Sequence, residues 1–209
     1  MMILLLIAAR VEAASCVIID AGHGSPDGGS VGYAGTEEKD LNLILAQRIS
    51  EWAGFLGIPF RMTRMGDMAI YDSDAETIRE KKVSDLKNRL HIAENTEAPL
   101  FLSVHMNASP AKSAHGLQVF YAPSESSETL AEDLTFVFTS RISEEHVKPT
   151  AKAPASVYLM KHLSCPAVIL EYGFITNPAE EQLLLKGSYQ QKLAYLTRCG
   201  VLHFINHKG

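Results

Sequence analysis

The chain has little cysteine: three residues among 209, at positions 16, 165 and 199. They are too few and too scattered for a disulfide framework, and the absence of a C-x-x-C pair argues against a thiolate zinc site. A catalytic cysteine is disfavoured too, because none of them ends a predicted strand beside a histidine. We therefore interpret Cys16, Cys165 and Cys199 as buried apolar residues.

An excess of positive charge is also missing. Lys and Arg total 19, Asp and Glu total 24, and the formal net charge is -5. No basic field is available to hold a phosphate backbone, which excludes nucleic acid as a partner.

No G-x-S-x-G segment is present, which argues against a serine hydrolase with a nucleophile elbow. The 46% of hydrophobic residues and the length of the chain favour one globular domain.

Long hydrophobic runs are absent as well. The segment "MMILLLIAARVEAAS", residues 1–15, is apolar only briefly, far below the ~20 residues that span a bilayer, and no Lys or Arg precedes the run. It is interpreted either as the remnant of a signal or anchor or as an extra strand. "AASC" resembles a lipoprotein processing site, but Cys16 leads directly into "VIID" and leaves no tether, so lipidation is not expected. Residues 16–209 are predicted to form the folded domain.

Short apolar runs alternate with longer segments of helical period, which predicts an α/β fold: a single domain with a mostly parallel twisted sheet covered by helices on both faces. Two loops, 21–38 and 69–77, are long enough to indicate a function. The Pro/Ala/Lys connection 147–156 is expected to be mobile. The predicted strands are 16–20, 59–63, 100–104, 117–121 and 167–172, and the predicted helices are 39–57, 84–94, 126–146 and 189–205. The charges of the second helix are expected to form a solvated face.

Groups that can bind metal or move protons follow several of these strands. His23 follows "VIID", His105 follows "LFLSV", and Glu171 lies near the end of "AVILEYGF". In open α/β sheets, ligands bind at the carboxyl ends of the strands. The loop after the first strand adds the acidic pair Glu37 and Glu38. Glu171 stands out because an unpaired carboxylate is costly to bury in an apolar run.

Two imidazoles and one carboxylate form the ligand set of a hydrolytic zinc site, in which the fourth position is left to water. A further carboxylate can take a proton from water and pass it to a departing amine. This interpretation assigns His23, Glu38 and His105 to Zn²⁺ and Glu171 to the acid/base role. Taken singly, each residue also has a structural explanation: a surface turn for His23, a core histidine for His105, and a favourable helix N-terminus for Glu38.

Six segments then occur in an order that resembles a known family: "DAGHG", "EEKDLNL", "MTR", "LKNRLHIAEN", "LFLSVHMNAS" and "AVILEYGFITNP". The chain resembles the zinc-dependent N-acetylmuramoyl-L-alanine amidases, which cut bacterial peptidoglycan, from about Val17 to Ile205. "GHG" alone is weak evidence, but the ordered set is specific. The resemblance implies zinc ligands at the two histidines and the glutamate assigned above, and hydrolysis of the amide between the lactyl group of muramic acid and L-alanine.

Within this family pattern, Ala21 replaces the usual proline, and "KDLNL" favours Glu38 over Glu37 as the ligand. Supporting or substrate-binding roles are expected for four residues that fit the family motifs, namely Arg89, Asn95, Asn107 and Asn177.

The segments 61–90 and 156–174 resemble one subgroup, the sporulation-type, germination-specific amidases. These enzymes strip peptides from spore cortex so that a muramic lactam can form. The resemblance implies a glycan strand with its stem peptide as substrate, a deacetylase as functional partner, and a location outside the membrane, in the cortex or intermembrane space. A general cell-wall lytic amidase, a partner-dependent metal amidohydrolase and a non-catalytic binding module of the same fold remain alternatives.

Overall fold

A computed structural model describes residues 16–97 and 99–207, without the side chain of His207. The predicted anchor remnant or extra strand, residues 1–15, lies outside the described residues. The described part contains a six-stranded sheet in the order β2-β1-β3-β6-β4-β5, in which β4 and β6 are antiparallel and the other pairs are parallel. The strands are β1 (Cys16–Ala21), β2 (Phe60–Met62), β3 (Pro99–Asn107), β4 (Gln118–Tyr121), β5 (Ala151–Lys152) and β6 (Ala167–Phe174).

The helices cover both faces of this sheet, and the predicted fold class is confirmed. No helix in the described ranges combines the length and the apolar character needed to cross a bilayer. The helices are α1 (Glu38–Phe55), α2 (Ile78–Glu94), α3 (Glu125–Thr139), α4 (Tyr158–His162), α5 (Pro178–Leu184) and α6 (Gly187–His207).

The strands are apolar on both sides because both sides are buried, as in parallel sheets generally. In β1, Val17 and Ile19 face a core shared with α1, α3 and α6, whereas Ile18 faces a second core formed with α2 and α4. The same alternation holds in β3, where Phe101 faces the second core and its neighbours face the first. Every second strand residue is thereby directed toward α2 and α4.

Several element boundaries differ from the prediction. Helix α2 begins six residues earlier, at Ile78, because Thr77 and Glu80 form a reciprocal capping box there. Helix α3 ends at Thr139, and a separate 3-10 turn follows at Glu144–His146. Part of the connection expected to be mobile pairs with β4 as β5. The short helices α4 and α5 were not predicted, since so few residues carry little periodic signal.

Two expectations about burial were wrong. The three cysteines are free and only partly buried rather than buried: Cys16 is the first residue of β1, Cys165 lies in the connection between α4 and β6, and Cys199 lies within α6. The charges of α2 do not all face solvent: Asp85 and Arg89 are 7% and 1% exposed. Their spacing of four residues places both on the face that packs against the sheet, where they form an ion pair.

Candidate active site

The sheet brings His105 and Glu171 together. Strands β3 and β6 are parallel neighbours, and His105 stands opposite Glu171 in their register. His105 lies four residues after Phe101 along β3, so the strand alternation directs it to the side covered by α2 and α4. Glu171 lies two residues after Ile169 on β6, so it is directed to the same side of the sheet. The two side chains therefore lie side by side at the carboxyl edge of the sheet.

His23 and Glu38 join this pair from the two ends of the long loop after β1. His23 Nε2 lies 3.3 Å and His105 Nδ1 lies 2.9 Å from Glu38 Oε1. One ligand atom from each of these three residues lies within 4.8 Å of the others. We call His23, Glu38 and His105 the donor cluster. The structure thus brings together the three residues that the sequence analysis had selected as metal ligands.

Glycines in the loop make this approach feasible. A Cβ on Gly22 would lie 2.2 Å from His105 Nε2, and a Cβ on Gly29 would lie 2.7 Å from Glu38 Oε2. Gly29 also has a φ of 69°, a backbone conformation that glycine adopts without a steric penalty. His23 itself has a φ of 60°, which is uncommon for a residue with a side chain. The unfavourable backbone conformation of His23 therefore directs its side chain into the cluster.

Two neighbours restrain His23. Its Nδ1 lies 3.1 Å from Asp27 Oδ2, while its Nε2 faces Glu38. Its backbone carbonyl accepts a hydrogen bond of 2.6 Å from Arg89 Nη2. A carboxylate on the outer nitrogen of a histidine orients the ring and makes the inner nitrogen a better ligand. Asp27 thus prepares His23 to donate an electron pair toward the cluster.

The charges of the cluster are strongly coupled. Burial lowers the pKa of His23, but the hydrogen bonds with Asp27 and Glu38 outweigh it and raise the pKa to about 9. Burial raises the pKa of Glu38, but the hydrogen bonds from His105 and His23 outweigh it and hold that pKa well below its usual range. Glu38 is therefore an anion although it is only 3% exposed. A buried carboxylate beside two imidazoles is suited to a divalent cation.

Glu171 differs from Glu38 in having no such partners. Its Oε2 is buried and makes no hydrogen bond to any residue in the described part of the chain. Burial raises the pKa of Glu171 to about 7, although the neighbouring His105 opposes the shift. A carboxyl group with a pKa near neutrality can both accept and donate a proton at physiological pH. The structure thus places a carboxyl group suited to proton transfer next to the donor cluster.

Two buried arginines support the loop from beneath. Arg89 donates to the carbonyl oxygens of Ala21, at 2.8 Å, and of His23, and it forms ion pairs with Asp20 and Asp85. Arg64 donates to the carbonyl oxygens of Ala21 at 2.9 Å, Gly22 at 3.1 Å and Lys39 at 2.7 Å. Both therefore hold the backbone that leads into the strained histidine, and Arg64 also ties it to the first turn of α1.

The other residues selected from the sequence make different contacts. Glu37 is an exposed partner of Lys39 at 2.9 Å, so of the two adjacent glutamates only Glu38 faces the histidines. The Asn107 side chain accepts from Ala108 N, Asn177 caps the N-terminus of α5, and Asn95 caps the C-terminus of α2. Of the four residues expected to support the site, Arg89 donates a hydrogen bond to the backbone of the donor cluster, at the carbonyl oxygen of His23.

Three further residues of the site, Asp20, Asp27 and Asp85, were not predicted from the sequence. A signal existed for two of them. Asp20 ends a buried apolar run, which is the same argument that singled out Glu171, and Asp85 precedes Arg89 by four residues on a helix. Asp27 lies in a glycine-rich loop without periodicity, so its contact with His23 depends on the folded loop.

Comparison with known proteins identifies the class of this fold and site. The family described as N-acetylmuramoyl-L-alanine amidase (amidase type 3) matches residues 17–203. The chain therefore belongs to the N-acetylmuramoyl-L-alanine amidases, as the resemblance in the sequence predicted. It is an enzyme of this class, and its substrate class is peptidoglycan.

Individual relatives cover most of the chain. It is 33% identical over 197 residues to the germination-specific N-acetylmuramoyl-L-alanine amidase of Bacillus subtilis, with 92% of this chain and 81% of the relative covered. The amidase AmiA of Escherichia coli is 28% identical over 91% of this chain and 76% of its own. Among solved structures, the CwlD amidase of Clostridioides difficile in complex with the GerS lipoprotein superposes with a TM-score of 0.87 at 30% identity, covering 92% of this chain and 98% of that one.

Proposed function

We propose that this amidase depends on Zn²⁺ held by His23, Glu38 and His105, that Glu171 is its acid/base, and that its substrate is spore-cortex peptidoglycan. The convergence of the three donor atoms beside the unpartnered Glu171 carboxyl carries the catalytic part of this proposal. The similarity to the germination-specific amidase and to the CwlD amidase supports the cortex as substrate.

The residues present fit a zinc ion. Two ligands about 2.1 Å from one tetrahedral ion lie roughly 3.4 Å apart, and the separations of Glu38 Oε1 from the two histidine nitrogens, 2.9 and 3.3 Å, are close to that value. Two neutral nitrogens and one carboxylate oxygen are a common hydrolytic set. The glycines at positions 22 and 29 keep side-chain atoms out of the space between these donors.

A bound zinc ion supplies a Lewis acid, which polarises the amide carbonyl and makes water acidic near neutral pH. Glu171 supplies the proton transfers. Its carboxylate removes a proton from the attacking water and then delivers that proton to the alanyl nitrogen, so that the C–N bond breaks and a neutral amine leaves. The pKa of about 7 allows the same group to perform both steps.

Partner and location follow from the same subgroup. A deacetylase would act on the sugar from which this enzyme removes the peptide, since a lactam needs a free amine and a free lactyl carboxyl on one muramic acid. The relative CwlD forms a complex with a lipoprotein, which supports a membrane-anchored protein as a second partner. Both partners support a location in the cell envelope.

The test combines metal content with release of stem peptide from cortex and from vegetative peptidoglycan, before and after chelation. We expect close to one zinc per chain, chelator-sensitive release, and a preference for cortex. His23→Ala and His105→Ala should lose the metal. Release that survives complete removal of zinc would contradict the metal dependence, and equal rates on both walls would favour a general lytic amidase.

A further inference from the structure

A buried glutamate on α5 contacts the loop that leads to Glu38. Glu181 is 0% exposed, and its Oε2 accepts a hydrogen bond of 2.8 Å from the backbone N–H of Ala34, 147 residues earlier in the chain. Its Oε1 is buried and makes no hydrogen bond to any residue that the structure describes. A buried carboxylate with so few partners is costly, whereas an apolar side chain would avoid this cost. The cost indicates a role beyond packing.

The segment that Glu181 contacts is a small hairpin, residues 30–38, which we call the ligand hairpin. Val31 and Glu37 face each other in it as an antiparallel bridge. Ala34 lies midway between them, at the tip of the hairpin. Glu181 therefore holds the tip of the segment whose last residue is a member of the donor cluster.

The base of the ligand hairpin holds the Glu38 carboxylate. The N–H of Ser30 donates to Glu38 Oε2 at 2.8 Å, and the N–H of Glu38 donates to the carbonyl oxygen of Ser30 at 2.9 Å. The other oxygen, Oε1, accepts from Asn42 at 3.3 Å and from the N–H of Met106 at 3.2 Å, and it faces the two histidines of the cluster. Because Ser30 occupies Oε2, it sets the rotation of the carboxylate and directs Oε1 toward the histidines.

We propose that Glu181 is a positioning residue for Glu38. By holding the tip of the ligand hairpin, it keeps the N–H of Ser30 at Glu38 Oε2 and thereby keeps Glu38 Oε1 in the donor cluster. The inference rests on the proposed function, because it takes Glu38 as a zinc ligand. Groups that orient a ligating carboxylate contribute to metal affinity although they do not touch the metal.

Close packing at Gly32 supports this link between α5 and the hairpin. A Cβ on Gly32 would lie 2.2 Å from Glu181 Oε1 and 3.1 Å from Cγ1 of Ile175. Gly32 is not among the residues with positive φ, so this glycine is needed for space rather than for its backbone conformation. Because such close contacts transmit displacements, a shift of Glu181 moves the hairpin as well.

Substitutions on α5 test the proposal. Glu181→Ala removes the acceptor at the tip, whereas Glu181→Gln keeps an acceptor oxygen for Ala34 and removes only the charge. Leu184→Ala is the matched structural control, since Leu184 lies on the same helix, is 2% exposed and belongs to the core shared with α1, α3 and α6. It leaves a cavity, which destabilises the fold, but it removes no hydrogen bond to the hairpin. Thermal unfolding identifies the temperature at which every variant is folded.

The first measurement is the zinc Kd of each folded variant, by competition with a chelator. We expect Glu181→Ala to raise the zinc Kd about tenfold, and we expect Glu181→Gln and Leu184→Ala to keep the zinc Kd of the wild type. An unchanged Kd in Glu181→Ala would overturn the proposal. An equal rise in Leu184→Ala or in Glu181→Gln would overturn it as well, because the effect would then not come from the lost acceptor.

Gly32→Ala tests the same contact from the hairpin and does not remove a buried polar group. Its methyl group should displace Glu181 and again raise the zinc Kd about tenfold. Gly66→Ala is the control, because nothing lies within 4 Å of a Cβ built there. Equal zinc Kd values for these two variants would contradict the link between Glu181 and Glu38.

Hydrogen exchange of the metal-free protein separates this inference from the proposed function. The backbone N–H of Ser30 should exchange faster in Glu181→Ala than in Leu184→Ala, because the hairpin opens locally when its tip is released. If the wild type binds no zinc, the proposed function fails, while this comparison still decides whether Glu181 positions Glu38. Equal exchange of the Ser30 N–H in the two variants would rule the positioning role out.

Discussion

Replacement of Gly22 by alanine tests whether the donor cluster needs the room that this glycine leaves for the His105 ring. A Cβ at this position would lie 2.2 Å from Nε2 and 2.3 Å from Cε1 of His105. Gly22 is not among the residues with positive φ, so the backbone tolerates the added methyl group. The substitution therefore perturbs His105 by contact alone.

The size of the effect follows from the distances. To regain an ordinary contact of 3.4 Å from 2.2 Å, the His105 ring has to move by about 1.2 Å, the difference of the two values. Metal–ligand distances tolerate about 0.2 Å, so His105 would move out of the proposed zinc site. We expect zinc affinity to fall at least ~10–100-fold. Overpacking should also cost the apoprotein about 1–3 kcal/mol of unfolding free energy.

The assays are competition with a zinc chelator and urea unfolding of the metal-free protein. Gly66→Ala is the matched control, because nothing lies within 4 Å of a Cβ built there. It should keep the zinc affinity of the wild type. If Gly22→Ala binds zinc as tightly as Gly66→Ala, His105 does not need its present position to bind metal.

Three further predictions concern charged groups. Glu171→Gln should keep its zinc, but its kcat should fall about 10²–10⁴-fold. The control Glu132→Gln, an exposed change on α3, should keep the kcat of the wild type. Comparable kcat values for the two variants would show that Glu171 has no part in the mechanism. Asp27→Asn weakens the contact that orients the His23 ring, so the zinc Kd of this variant should rise ~10–100-fold in the chelator assay. The exposed control Asp74→Asn should leave the zinc Kd unchanged. Equal Kd values for the two variants would contradict the orienting role of Asp27. Burial raises the pKa of Asp20, but Arg89 and hydrogen bonds hold it below its usual 3.8, so its stabilisation is complete above that value and is lost as the pH falls through the folded pKa. In urea unfolding of the metal-free protein, the free energy of unfolding should therefore fall more steeply with decreasing pH, below about pH 4, for the wild type than for Asp20→Asn. The same dependence on pH in both proteins would contradict this role of Asp20.

Much of the fold was predictable because its signals are local. The continuous apolar runs of β1, β3 and β6 reflect burial on both faces, and the stripe of Leu193, Leu196, Val201 and Phe204 on α6 is buried as its helical period predicts. The early start of α2 was missed because a capping box overrode weak hydrophobic periodicity. The short α4 was missed too.

The chemical groups of the site could be predicted from the amino-acid sequence: histidines after two strands, a carboxyl group within the buried β6, and an acidic pair before the first helix. How these groups meet depends on the tertiary structure. Glu38 reaches His105 across 67 residues of chain, and Arg89 reaches His23 across 66. Such contacts depend on strand order and on the left-handed turn at His23, whereas propensity and periodicity report only on neighbours along the chain. For the same reason, the choice of Glu38 over Glu37 at the cluster is settled by the direction in which each side chain leaves the start of α1.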